Sequence, residues 1–269
     1  MVIRASHEAS RGRYGSPRVH EDLIDGGERV SRKRVMRLMQ AEGLQGRMRR
    51  RYKHTTMSEH DQPVAANVLA QQFVADAPNR RWVADTTEVV IGGSGTRYLA
   101  AVLDLHSRFL VGWALGAVND RHLVIKALEM ALQRRRPAAG LLHHSDQGSP
   151  YASAAYQDVL AQHGVTGSMS RRGNCYDNAV MESWFATVKN ELGEHFASGD
   201  AATRELFEYI EVFYNQRRRH STLGYLSPAA FERHASGDAP SVVIAPAIVA
   251  REGVVQPAQP GGRRSWSLL

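Results

Sequence analysis

Three apolar runs, RWVADTTEVVIG, YLAAVLDLHS and RFLVGWALGA, follow one another between Arg81 and Ala117 with only GSGTR and HSR at their junctions. Each is rich in β-branched and aromatic residues, the types that suit a pleated, half-buried strand. Junctions this short cannot hold a crossover, so the three strands must pair antiparallel as a meander. Helical periodicity then enters. DRHLVIKALEMALQRRR predicts a helix ending at Pro137, GLLHHSD a fourth strand, YASAAYQDVLAQHG a helix and TGSMS a short fifth strand. Two more helices are expected, one over DNAVMESWFATVKNEL with Asp177 as its N-cap, the other over roughly 200–219. The order βββαβαβαα predicts an α/β domain with a five-stranded mixed sheet and flanking helices.

The N-terminal part has a different character. Residues 1–58 carry 14 Lys/Arg against 6 Asp/Glu, whereas the whole chain of 269 residues has a net charge of only +7, so the basic excess belongs to the N-terminal fifth. Such an asymmetry suits a polyanion, and nucleic acid is the usual one. Ser16-Pro17 starts a helix that stops at Gly26-Gly27, and Ser31 caps a second that ends at Gly43. Two short helices joined by a glycine turn suggest a small all-α helix-turn-helix domain. Val19, Leu23, Val35, Leu38 and Met39 form its expected core. Arg32, Lys33, Arg34 and Arg37 then face outward on the second helix, where a recognition helix meets the major groove. Arg49, Arg50 and Arg51 follow in a basic arm, RMRRRYKH.

These patterns divide the chain into a helix-turn-helix region with basic arm (1–54), a linker with a short helix at 64–77 (55–80), an α/β core (81–235) and a Pro/Gly/Ala-rich tail of low order (236–269). No apolar run approaches the ~18 residues of a membrane span, and no signal-peptide core follows Met1, so a cytoplasmic chain is expected. A single cysteine, Cys175, excludes an internal disulfide and a cysteine zinc cluster.

Several sets of residues remain to be placed. On the helix over 177–192, Met181, Trp184, Phe185, Val188 and Leu192 share one stripe. Glu182 and Lys189 lie seven apart at the stripe's edge, within about 20° of each other, and Glu191 points to the opposite face. Asp85 interrupts the first strand and Asp146 ends the fourth. Asp104, in LDLHSR, reads as a turn residue and Glu88 as exposed. His143 and His144 read as strand packing or substrate contacts, since histidine is a poor Mg²⁺ ligand. Asn174 and Asn178 read as caps, with a DNA contact as the second reading of Asn178. Trp82 and Trp184 read as core, and Arg217–Arg219 with His220 as either a DNA track or a solvated helix end.

The element order is that of a ribonuclease H-like fold, in which the first and fourth strands are neighbours. Asp85 and Asp146 would then lie side by side, with Glu182 above them. Three carboxylates so close need a compensating cation, and an all-oxygen donor set suits Mg²⁺ or Mn²⁺. Two such ions at about 3.5–4 Å clamp the attacking and leaving oxygens of an in-line phosphoryl transfer. The spacing is Asp-x60-Asp-x35-Glu with Lys189 seven beyond the glutamate.

With that spacing, WVADTTEV, HHSDQGSPYAS, SMSRRGNCYDNAVMESWFATVKNEL and YNQRRRHSTLGYLSPAAFE resemble the OrfB integrase-core transposases of the insertion-sequence-three family. YGSPRVHEDL and VSRKRVMRLMQAEGL resemble the helix-turn-helix that precedes the core there, so the likeness covers about residues 2–235. The resemblance implies a DDE transposase, a metal-dependent DNA cleavage and strand-transfer enzyme of bacterial cytoplasm and nucleoid. Its catalytic and metal-binding triad falls on Asp85, Asp146 and Glu182, with two Mg²⁺ (or Mn²⁺) ions, and Lys189 falls on a DNA phosphate contact. It also implies double-stranded DNA partners (terminal inverted repeats and target), a circular intermediate, self-association on DNA, an OrfA-type partner or fusion, and no membrane. Two departures are visible: the helix before YGSPR looks shortened, and the chain continues past LSPAAFE to Leu269. They motivate the alternative of a catalytically inactive DNA-binding remnant or regulator. A hydrolytic nuclease with the same metals is a further alternative, disfavoured by the basic N-terminal region.

Overall fold

The structure, a computed structural model, describes residues 2–47, 62–93, 95–171 and 174–237. Arg49, Arg50 and Arg51 and the tail from residue 238 lie outside the described residues.

The meander forms as expected. β1 (Arg81–Ile91), β2 (Gly95–Asp104) and β3 (Leu110–Gly116) pair antiparallel. β4 (Leu142–Ser145) lies parallel to β1, and β5 (Thr166–Met169) parallel to β4, in the order β3-β2-β1-β4-β5. A sixth strand, β6 (His195–Phe196), extends the parallel pairing beside the end of β1. Two residues offer no alternation to read, which is why the sequence pattern is silent about it. Alternate residues of the central strands feed two cores. Val83, Leu99, Ala101 and Leu103 meet the later helices, whereas Trp82, Ala84, Ala100 and Val102 meet the earlier ones.

The earlier helices are α4 (Arg121–Arg135), α5 (Ser149–Ala152) and α6 (Ala154–Gln162). α4 lies so close to β3 that a Cβ at Gly112 would stand 2.2 Å from the Ala127 carbonyl oxygen, so only glycine fits there. The single helix expected over 151–164 is broken at Ser153. That residue is extended, and its hydroxyl accepts the Tyr156 N–H as the cap of α6. On the other face come α7 (Ala179–Glu191) and α8 (Gly199–Phe207), which runs on as a π-helical segment over Glu208–Tyr214. α9 (Pro228–Ala235), capped by Ser227, has no counterpart among the expected elements.

At the N-terminus, α1 (Val2–Ala9) precedes α2 (Ser16–Asp25) and α3 (Arg32–Ala41). Ser31 caps α3 by accepting the Arg34 N–H, whereas α2 has Gly15 rather than Ser16 at its cap position. Val19, Leu23, Val35 and Met39 are buried together with Ile3 and Tyr14. Leu38 is not: it is 38% exposed. Four residues turn a helix by about 400°, so Met39 stays nearly under Val35, and the short α3 buries only that narrow stripe.

The expected linker helix at 64–77 is absent. Ala70 and Gln71 adopt left-handed conformations (φ 47° and 62°), and Asn67 Oδ1 accepts the Ala70 N–H. The Val68 and Leu69 N–H groups donate to Ser168 Oγ. These donors are spent on the core rather than on a helical ladder, and Leu69 is buried with them. No helix among the described residues is long and apolar enough to cross a membrane.

Candidate active site

β1 and β4 set the two aspartates. The parallel register pairs Val83 with His144, so Asp85, still inside β1 and paired with Ala101 of β2, lies level with Asp146, the residue just past the carboxyl end of β4. Asp146 follows directly on the end of β4, and its Oδ1 accepts the Gly148 N–H at 2.9 Å. A Cβ at Gly148 would stand 2.9 Å from that same oxygen, so the carboxylate lies against a bare backbone. Asp85 is half-buried, and its Oδ1 accepts the Thr86 N–H at 2.7 Å. Burial pushes the Asp85 carboxyl well above the usual carboxylate range, and the negative charges of Asp146 and then Glu182 push it the same way. The three acids named from the sequence therefore share one electrostatic site. Tyr151 of α5, a residue that the motif SPYAS does not single out by pattern, stands beside it. Its hydroxyl is pushed well up by burial, by Tyr156 and by Asp85 and Asp146.

Glu182 comes from α7. Met181, Trp184, Phe185 and Val188 are buried as the stripe predicts, and Glu182 stays half-buried at its edge. Asp177 is not the N-cap. It is fully buried within a 3₁₀ turn (Cys175–Asn178) and accepts from Arg171, Asn67 and Gln71. The Arg171 hydrogen bond holds its carboxyl well below the usual range. Asn174 does cap that turn, accepting the Tyr176 N–H. Asn178, read as a possible DNA contact, is 5% exposed and donates from Nδ2 to the Ala84 carbonyl at 3.3 Å. Its amide is inside the fold, where a DNA backbone cannot reach it. Lys189 Nζ lies 3.6 Å from Glu194 Oε2. Arg32, Lys33, Arg34 and Arg37 are exposed on α3.

The competing residues are placed in the fabric of the fold. Asp104 is fully buried and accepts from Asn79 N, His106 N and Trp82 Nε1, a turn-capping role; Glu88 is exposed. His143 is bonded to Tyr156 Oη, and His144 to Ser168 and Ser170. Burial lowers both pKa values, to about 3 for His143, where the charge of His144 adds to the effect, and to about 4 for His144. Trp82 and Trp184 are core. Glu191 is buried opposite Glu182 and takes both Arg218 Nε (2.8 Å) and Nη2 (2.7 Å), plus the Tyr209 hydroxyl. Arg219 reaches Asp22 and Asp25 of α2. Arg218 and Arg219 are thus neither a DNA track nor a solvated helix end. They tie α7 and the helix-turn-helix region to the segment after the π-helix, alongside Arg13, whose guanidinium stacks 4.5 Å over Phe213.

The donor set fits a hard divalent cation, since Asp85, Asp146 and Glu182 offer only carboxylate oxygens and Asp85 is held in need of countercharge. Among the described residues, no three His, Cys, Asp or Glu side chains already stand close enough to hold an ion, so binding requires these carboxylates to draw in.

Comparison with known proteins follows the same division of the chain. Residues 1–52 match the HTH-like domain, and residues 75–175 and 163–228 match two integrase core domain models. The chain is 40% identical to transposase InsF for insertion sequence IS3A of Escherichia coli (strain K12), over 86% of this chain and 81% of that protein. The chain belongs to the insertion-sequence-three family of transposases. A further relative in that family, the insertion element IS600 31 kDa protein of Shigella sonnei, is 46% identical over 86% of this chain and 85% of that one. Among solved structures, the HTLV-2 integrase catalytic core in complex with magnesium aligns with a TM-score of 0.46 at 15% identity, covering 58% of this chain and 98% of that one. The core of this transposase-family chain is ribonuclease H-like, as its strand order and the integrase core models state independently.

Proposed function

We propose that this protein is a DNA strand transferase: it cuts at the ends of its insertion element and joins the freed 3′-hydroxyl to new DNA. The observation that carries this reading is the placement of Asp85 on a central strand level with Asp146 at the end of its parallel neighbour, with the charges of Asp146 and of Glu182 on a later helix both bearing on Asp85. On this reading Asp85, Asp146 and Glu182 would together hold two Mg²⁺ or Mn²⁺ ions. When bound, such ions supply Lewis-acid stabilisation of the phosphoryl oxygens and a more acidic nucleophile. The chain's own part is to fix the carboxylates on rigid elements. The Thr86 and Gly148 N–H groups orient two of them, and the buried Tyr151 is near enough to Asp85 and Asp146 to feel their charge. Arg32, Lys33, Arg34 and Arg37 present a basic helix face for double-stranded DNA, and Arg49, Arg50 and Arg51 extend it in sequence. Self-association on DNA and an OrfA-type partner or fusion belong to the same proposal, as does a place of action on DNA in the bacterial cytoplasm.

The test is cleavage and joining on a labelled duplex carrying the element's own terminal repeat, with Mg²⁺ or Mn²⁺ and with the OrfA product added in parallel. Wild type is expected to give joined product and Glu182→Gln none, with duplex affinity retained. Cut but never joined product in wild type would instead point to a hydrolytic nuclease. Glu182→Gln as active as wild type would remove Glu182 from the site.

A further inference from the structure

A cavity of about 490 Å³ opens where the helix-turn-helix region, α7 and the segment around 214–222 meet. That is within the range of small-ligand sites. Four arginines line it, Arg18, Arg47, Arg108 and Arg218, together with His220, against a single carboxylate, Glu191. Arg218 already occupies both oxygens of that carboxylate, and Arg18 stands 3.7 Å from one of them. That carboxylate, the one in the lining among the described residues, is therefore taken up by Arg218 and Arg18, and beyond it Arg108 has only Asp104, from outside the lining, as a nearby negative charge. Arg108 gives Nη2 to the Phe73 carbonyl, which neutralises nothing, and its Nη1 is buried with no hydrogen-bond partner among the described residues. Burial holds His220 well below its usual pKa, and Arg218, Arg18 and Arg108 press it the same way, as an uncompensated positive field should. A buried, unpaired guanidinium donor such as Arg108 Nη1 is costly, and the forked guanidinium matches a phosphate.

We infer that this cavity binds a phosphate of a nucleic-acid backbone, with Arg47 and Arg108 as its principal contacts. The assignment to nucleic acid rests on the proposed DNA activity. A free phosphate shares the chemistry, but the walls favour a strand. One side is the exposed Arg47, the first residue of a basic run that continues in sequence through Arg49, Arg50 and Arg51, and the other is the Glu191 face of α7.

The experiment titrates a labelled duplex by fluorescence anisotropy over a series of salt concentrations, using the full chain and the variants Arg47→Gln, Arg108→Gln and, as a control on α3, Arg34→Gln. Removing one arginine that neutralises a phosphate should reduce the slope of log K against log[salt] by about 0.9. Arg47→Gln and Arg108→Gln are each expected to show that reduction, Arg47→Gln with an unchanged thermal midpoint and Arg108→Gln while still folded. If Arg108→Gln does not fold, Arg47→Gln decides alone. Wild-type slopes in folded cavity variants, with Arg34→Gln reduced, overturn the cavity and leave the DNA reading standing. Failure of wild type to bind duplex at all overturns the DNA reading itself. A second arm compares thermal midpoints in inorganic pyrophosphate and in KCl of equal ionic strength. Stabilisation by pyrophosphate that Arg108→Gln abolishes, without any duplex binding by wild type, assigns the cavity to a free phosphate and overturns the nucleic-acid claim.

Discussion

The amide of Asn178 lies between the two elements that carry Asp85 and Glu182. Its Nδ2 donates to the carbonyl of Ala84, the residue before Asp85, while its own backbone begins the helix that presents Glu182 four residues on. One hydrogen bond thus sets the distance from the helix carboxylate to the strand carboxylate. A group that orients ligating side chains without touching the reacting atoms is worth about 10- to 100-fold in activity when removed. Asn178→Ala should lower the strand-transfer rate by that order while the duplex affinity stays at the wild-type value. If rate and affinity fall together, Asn178 touches DNA and the positioning role is wrong.

At the scale of the element, α7 shows what a sequence can and cannot disclose. Its buried stripe and the placing of Glu182 and Glu191 on opposite faces follow from 3.6-residue periodicity alone, because both are properties of one helix. The fate of Glu191 does not, since its partners Arg218, Tyr209 and Arg18 are brought to it only by tertiary folding. The same limit hides the roles of Asp177 and Arg219, whose partners lie across the linker and in α2. The linker reads as helical in sequence but is not, because its donors bond to Ser168, a hundred residues away. Segments whose period is neither 2 nor 3.6, such as the π-helical run at Glu208–Tyr214, leave no pattern to detect. Burial pushes the Glu191 carboxyl up, but its partners, Arg218 foremost, together pull it down further, and the net is below the usual range. Removing one partner strands a buried charge, which costs about 3–5 kcal/mol, whereas replacing both with apolar residues costs less. Glu191→Ala should therefore destabilise the fold by that amount in urea denaturation, and Glu191→Met with Arg218→Met by less. A cost under about 1 kcal/mol for Glu191→Ala would mean that the pair behaves as a surface one.

For the whole molecule, the sheet's core makes stability depend on pH through His143, which is buried between β4 and α6 against the Tyr156 hydroxyl, with His144 beside it on the strand. Unfolded, its pKa is about 6.5. Folded, burial and then the neighbouring His144 lower it to about 3. Between those values the unfolded chain holds a proton that the native chain does not, so stability falls as pH falls, by about 1.4 kcal/mol per pH unit for this one group. Asp85 and Asp104, whose carboxyls are pushed up, act with the opposite sign, stabilising the fold as pH falls toward the carboxylate range. The net slope of the wild type mixes both signs, but the difference between wild type and His143→Asn does not, because Asn cannot titrate. Urea denaturation at pH 6.5, 5.5 and 4.5 should show wild type losing stability relative to His143→Asn by roughly 1.4 kcal/mol per pH unit once the pH is well below 6.5, whatever offset the substitution brings. Parallel curves would mean that the imidazole is protonated in the native core and that its bond to Tyr156 is made by a cation.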